Sequence, residues 1–233
     1  MITTSTIPLT FRDKTRNFLA NKFFFITIAS VCLALSMIWG AVGYYLGMAV
    51  VLIIAWANRW KFSIFRLKRT NFFRDIIYAI LISIALLFLV DGLIQPMVEF
   101  FFGEINLESF DAIKGNFPSY IILLAVMWVT AAFGEEIFYR GYLMRGIAYS
   151  LGDKSESWFL AAFISAMYFG LAHLYQGTSG IITTGLIGFL MGLIFMQRKN
   201  LWLLVFVHGI YDTIGITLLY LDQENWIADL FSF

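Results

Sequence analysis

Apolar runs long enough to cross a bilayer recur along this chain, and no other feature narrows its possible folds so far. A spanning helix needs about 20 mainly apolar residues. Read from the N-terminus, the runs are Phe23–Trp39, Ala41–Ala57, Ile76–Gln95, Pro118–Gly134 continuing towards Leu151, Trp158–Leu174, Gly180–Gln197 and Leu201–Leu221. Hydrophobic residues make up 61% of the 233 positions and charged residues 13%, against roughly 25% charged in ordinary soluble domains. A soluble core of this size could not hide so much apolar surface. The expected fold is all-α, a polytopic membrane bundle of about seven transmembrane helices, within a range of six to eight.

Charge sets the expected orientation. Arg12, Lys14, Arg16 and Lys22 precede the first run, Arg59 to Arg74 fill the second loop, and Arg198 and Lys199 fill the last. Glu99, Glu104, Glu108 and Asp111 crowd the third connection, and Asp222, Glu224 and Asp229 the C-terminal end. Basic loops stay in the cytoplasm, so the N-terminus is expected inside and the C-terminus outside. Residues 1–22 then form a cytoplasmic tail before a signal anchor, 23–221 the membrane domain and 222–233 a short acidic tail. The same rule treats Pro118–Leu151 as one crossing, because two would carry Arg198 and Lys199 outside. A continuous helix there would be roughly 50 Å long, so it is expected to be tilted or broken near Gly134.

Other function classes recede. No basic, aromatic-interleaved stretch offers a nucleic-acid footprint. Cys32 is the sole cysteine, so an intramolecular disulfide is impossible and a zinc–cysteine site is not expected. Gly185, Gly188 and Gly192 form a smooth helix face, expected to pack within the bundle rather than to dimerise.

Ionisable residues at membrane depth are expensive and call for a reason. Three clusters stand out: Glu135-Glu136-x-x-x-Arg140, Phe169-x-x-x-His173 and His208-x-x-x-Asp212, which use both histidines of the chain. Adjacent helical residues lie about 100° apart, so Glu135 and Glu136 face different ways. Glu136 stands in the favourable acid-before-base spacing to Arg140. Glu135 lacks such a partner and is expected to face a cavity as a general base. His173 and His208 could join it in the bundle interior, with Phe169 walling the site. Asp212, one turn beyond His208, could accept from the imidazole and fix its tautomer.

At these motifs the sequence resembles the CAAX-protease and bacteriocin-processing family of glutamic intramembrane peptidases, over roughly Ile121–Tyr220, and residues 118–221 become the expected peptidase-like core. The resemblance implies peptide-bond hydrolysis without a covalent intermediate or a cofactor. Glu135, helped by His173, would deprotonate a water, and His208 with residue 212 would stabilise the oxyanion. Glu136 and Arg140 would support the site, and so would Phe169. Relatives often carry Asn at the position of Asp212. An ionised carboxylate cannot donate to an oxyanion, so Asp212 is expected to act one step back, by orienting His208. The implied partners are a peptide or membrane-protein substrate and membrane lipids, in a setting expected to be a prokaryotic plasma membrane. Two rivals stay open. A metal-dependent membrane hydrolase would use Glu135, His173 and His208 as ligands, and a non-catalytic scaffold or immunity protein would need none of them. A transporter is less expected, because no inverted repeat is visible.

Overall fold

A computed structural model describes residues 9–231. The first eight residues of the expected N-terminal tail and the last two of the acidic tail lie outside the described residues. Among the described residues 82% are helical and none forms a strand. The helices are α1 (Phe11–Leu19), α2 (Lys22–Trp39), α3 (Val42–Ala57), α4 (Phe72–Phe102), α5 (Phe117–Ser150), α6 (Ser155–Leu171), α7 (Gly177–Arg198), α8 (Leu201–Tyr220) and the short α9 (Trp226–Asp229).

Every apolar run read from the sequence contains a helix. Among the described residues, four helices are long and apolar enough to span a membrane, namely α4, α5, α8 and Leu174–Arg198 (α7 with the turn before it); the bent pair of α1 with Phe23–Trp39 makes a fifth if it counts as one span. Asparagines start several of these elements. Asn21, Asn71, Asn116 and Asn200 each accept a backbone N–H of the following turn, satisfying donors that a helix start leaves bare.

The segment expected to be one long crossing is one helix of 34 residues. It carries two wide π-helical stretches, Trp128–Glu135 and Ile137–Met144, on either side of Glu136. A third, Leu87–Ile94, lies in α4 just before Pro96. Proline has no N–H to return to the preceding turn, and local widening absorbs that loss.

The molecule is turned outwards in the manner of a multi-pass membrane protein. Phe73 and Phe100 are 79% and 83% exposed, whereas Glu136, Arg140 and His208 are buried. Side-chain hydrogen bonds tie the helices from within: Ser83 Oγ to Val207 O, Ser165 Oγ to Tyr139 O and Trp128 Nε1 to Thr213 Oγ1. α5 runs through the middle and touches α3, α6 and α8, while α6 pairs with α7 and α4 with α8.

The glycine face of α7 packs inside the bundle, as expected. A Cβ on Gly188 would stand 2.8 Å from Phe169, and one on Gly192 3.0 Å from Ala162. Across the same seam, a Cβ on Gly170 would approach the Ile181 carbonyl to 2.5 Å. Small residues are what allow α6 and α7 to meet this closely.

Candidate active site

The two adjacent glutamates of α5 have separate surroundings. Glu136 is fully buried. Its Oε1 accepts from Arg140 Nη1 at 2.7 Å and lies 2.9 Å from His208 Nδ1. The other arm of the guanidinium donates to Gly188 O at 3.0 Å, and its centre sits 4.7 Å over the Phe169 ring. One carboxylate thus joins α5 to α8, and its cation reaches α7 and α6. Glu135 turns elsewhere: its side chain is 20% exposed, and its Oε2 stands 4.0 Å from His208 Nε2.

His208 is gripped at both ring nitrogens. Asp212 Oδ2 lies 3.3 Å from Nε2, on the same edge as Glu135. The contact at Nδ1 is made by Glu136. The i, i+4 spacing does bring Asp212 to the imidazole, but to its outer edge, because α5 already occupies the inner one.

His173 follows the end of α6, which stops at Leu171, so the fifth run is shorter than its apolar composition suggests. Its Nδ1 lies 2.8 Å from Phe169 O. A carbonyl only accepts, so this contact assigns the proton to Nδ1 and leaves Nε2 with a lone pair. Phe169 stands at the centre, with ring centroids 5.0 Å from His173, 5.0 Å from Tyr139 and 6.1 Å from His208. Its ring thus packs between the two imidazoles.

Glu135, His173, His208 and Asp212 all border one cavity of about 390 Å³. Glu135 and His173 also border a second cavity of about 630 Å³, which runs past Cys32, Tyr44, Phe138 and Tyr139 towards α2 and α3. Those two side chains therefore form part of the wall shared by a polar chamber and a more apolar one. Among the described residues, no arginine or lysine lines either.

Sequence reasoning passed over Asp91. It lies in the π-helical stretch of α4, lines the first cavity and accepts a hydrogen bond from Tyr211, the neighbour of Asp212. An acid in the apolar run Leu87–Ile94 carries the same signal that singled out Glu135. Gln95 and Glu99 continue that face of α4 along the cavity, and Gln95 Nε2 donates to Glu99 at 3.0 Å.

The far end of the cavity is bordered by Glu224, Ile227 and Ala228. Lys114 holds this segment, 2.9 Å from Glu224 and 3.0 Å from Asp222. The hydrogen bond between Lys114 and Glu224 raises the ammonium's pKa and lowers that of the carboxyl. Among the described residues, no three His, Cys, Asp or Glu side chains are grouped as metal ligands.

Residues 117–214 match the model of the Rce1-like family, described as type II CAAX prenyl endopeptidase Rce1-like. This is the CAAX-protease group that the motifs resemble. The matched segment contains α5, α6, α7 and most of α8, and with them every residue of the three motifs. No curated protein and no solved structure matches the chain. The match supports a protease acting on a peptide or protein.

Proposed function

We propose that the chain is an intramembrane endopeptidase in which Glu135 activates a water for direct attack on a peptide bond, with no covalent intermediate. The observation that carries this reading is the separation of the two glutamates. Glu136 is consumed by Arg140 and His208, while Glu135 faces the cavity beside the outer edge of His208.

The residues divide the chemistry as follows. The Glu135 carboxylate takes a proton from water, and the lone pair on His173 Nε2 helps hold that water. The hydroxide adds to the scissile carbonyl, and the resulting oxyanion accepts a hydrogen bond from His208 Nε2. The proton on Glu135 then passes to the leaving amine as the C–N bond breaks. A donor already fixed in a buried site contributes more than one in water, because it need not reorient during the reaction. Arg140 and a protonated His208 balance Glu136 and Asp212, which leaves the charge of Glu135 for catalysis.

The substrate class follows from the two chambers. A peptide backbone suits the polar cavity, and an apolar side chain or lipid of the same substrate suits the cavity towards α2 and α3. The family description reads type II CAAX prenyl endopeptidase, which suits a lipid-bearing substrate; a small peptide or an unmodified membrane protein fits the same division.

The test compares native protein, Glu135→Gln and Glu136→Gln in proteoliposomes, using the peptides and membrane proteins of the source cell as substrate pool. Cleavage products should vanish with Glu135→Gln while its melting temperature stays near native. Cleavage that survives Glu135→Gln would overturn the reading. Loss of native cleavage with a chelator, restored by zinc, would move the site to the metal-dependent class.

A further inference from the structure

The turn of α5 that presents Glu135 is held by a residue outside the matched segment 117–214. Tyr44 of α3 donates its hydroxyl to Thr130 O at 3.0 Å. Thr130 lies five residues before Glu135, within the widened stretch Trp128–Glu135. A π-helical carbonyl pairs with the N–H five residues on, so the acceptor that Tyr44 holds is the one that also serves the backbone of Glu135. The hydroxyl is one shared acceptor away from the residue proposed to activate water.

Gly134 leaves room for this contact. A Cβ there would collide with the Tyr44 hydroxyl, whereas the next atoms, Met48 Sδ and Tyr44 Cζ, stand 3.3 Å away. The obstacle is therefore the single oxygen that makes the hydrogen bond. One turn along α3, a Cβ on Gly47 would stand 3.0 Å from the Phe138 ring, in the second widened stretch of α5. α3 thus lies tight against both stretches, which fixes the point from which Tyr44 reaches. Tyr44, Thr130 and Glu135 all border the cavity towards α2 and α3, and Thr130 and Glu135 border the first cavity as well.

We propose that Tyr44 is a positioning residue of the active site: its hydroxyl holds the widened turn at Thr130 and so aims the Glu135 carboxylate at the wall shared by the two cavities. The π form is rare and persists where something outside the helix supports it. Without the hydroxyl the turn can close towards the regular α form, and Glu135 rotates with it. Its kinetic consequence rests on the peptidase reading; the contact itself does not. α3 carries none of the three motifs, yet it takes part in the catalytic geometry through this one side chain.

The experiment compares native protein, Tyr44→Phe, Gly134→Ala, the double variant and Tyr78→Phe in proteoliposomes, on one peptide that the native protein cleaves. Tyr44→Phe keeps the ring and should lower kcat by about ten- to a hundredfold, the scale of a small misplacement, with KM and melting temperature near native. Gly134→Ala, whose methyl displaces the hydroxyl, should fall similarly. The double variant should be no slower than Gly134→Ala alone, because phenylalanine leaves the methyl room; losses that multiply would mean that the two positions act separately, against the proposal. Tyr78, whose ring lies under Arg198 elsewhere, should tolerate loss of its hydroxyl, and an equal fall there overturns the proposal. A readout that needs no substrate is the infrared carboxyl band of Glu135, identified by its loss in Glu135→Gln. This band should shift in Tyr44→Phe and stay in place in Tyr78→Phe. Native kcat or an unmoved band in Tyr44→Phe overturns the role of Tyr44, even where Glu135→Gln abolishes cleavage. Cleavage that survives Glu135→Gln overturns the peptidase reading instead, and the band alone then decides whether Tyr44 positions Glu135.

Discussion

His208 Nδ1 and Glu136 Oε1 stand 2.9 Å apart, and this contact links the first motif, on α5, to the third, on α8, through a carboxylate that Arg140 already neutralises. It fixes the imidazole edge-on, so that Nε2 faces Glu135 and Asp212. The chemistry proposed for Glu135 depends on that orientation.

Breaking this support should cost stability before it costs chemistry. Removing one partner of a buried ion pair destabilises by about 3–5 kcal/mol, whereas replacing both with apolar groups can be nearly neutral. Glu136→Gln and Arg140→Met should each lower the melting temperature strongly, and the double variant should recover much of the loss. Additive losses across this cycle, read by thermal unfolding in one detergent, would sever the coupling.

His208 and Asp212 should separate kinetically. Loss of a preorganised donor to an oxyanion costs about 100- to 1,000-fold in turnover, so His208→Ala should fall at least that far. Asp212→Asn should keep substantial activity, since an amide at 3.3 Å from Nε2 can hold the ring and can also donate. Equal and complete loss in both variants would contradict the assigned roles. Single-turnover rates on one cleaved peptide supply the comparison.

The α6–α7 seam should tolerate nothing larger than glycine at position 170. The added Cβ would meet a backbone carbonyl at 2.5 Å, which no rotamer change relieves. Overpacking of this kind costs about 1–3 kcal/mol or more. Gly170→Leu should therefore reduce folded yield, while Gly215→Ala, where a Cβ meets nothing within 4 Å, should not. Folded yield from size-exclusion profiles reads this directly.

The closure at the far end of the first cavity should depend on pH. The pKa of Glu224 is lowered by Lys114, so its contribution is complete above the ordinary carboxylate range and fades as pH falls through the lowered value. The pKa of Lys114 is raised, so its contribution holds below the ordinary lysine range and fades as pH rises through the raised value. Between these limits Lys114→Ala should melt below native, and acidification should narrow the gap. A gap that stays constant down to strongly acidic pH would assign the effect of Lys114 to packing.

Much of the architecture follows from local pattern. The apolar runs and the inward placement of three polar clusters could be read from spacing, because bilayer thickness and helical period act on each segment alone. The same logic separated Glu135 from Glu136, since neighbours on a helix cannot share a face. It also made Asp91 visible in principle, as an acid inside an apolar run, although no motif drew attention to it.

What the sequence alone determined is therefore the helices, their apolar exteriors and which side chains need partners. Tertiary structure decided who those partners are. Glu136 rather than Asp212 took the inner edge of His208, His173 fell beyond the end of α6, and Asp91 found Tyr211. These choices depend on how α4, α5 and α8 rotate and widen against one another. Such rotations are set by packing between distant segments, which no local repeat encodes.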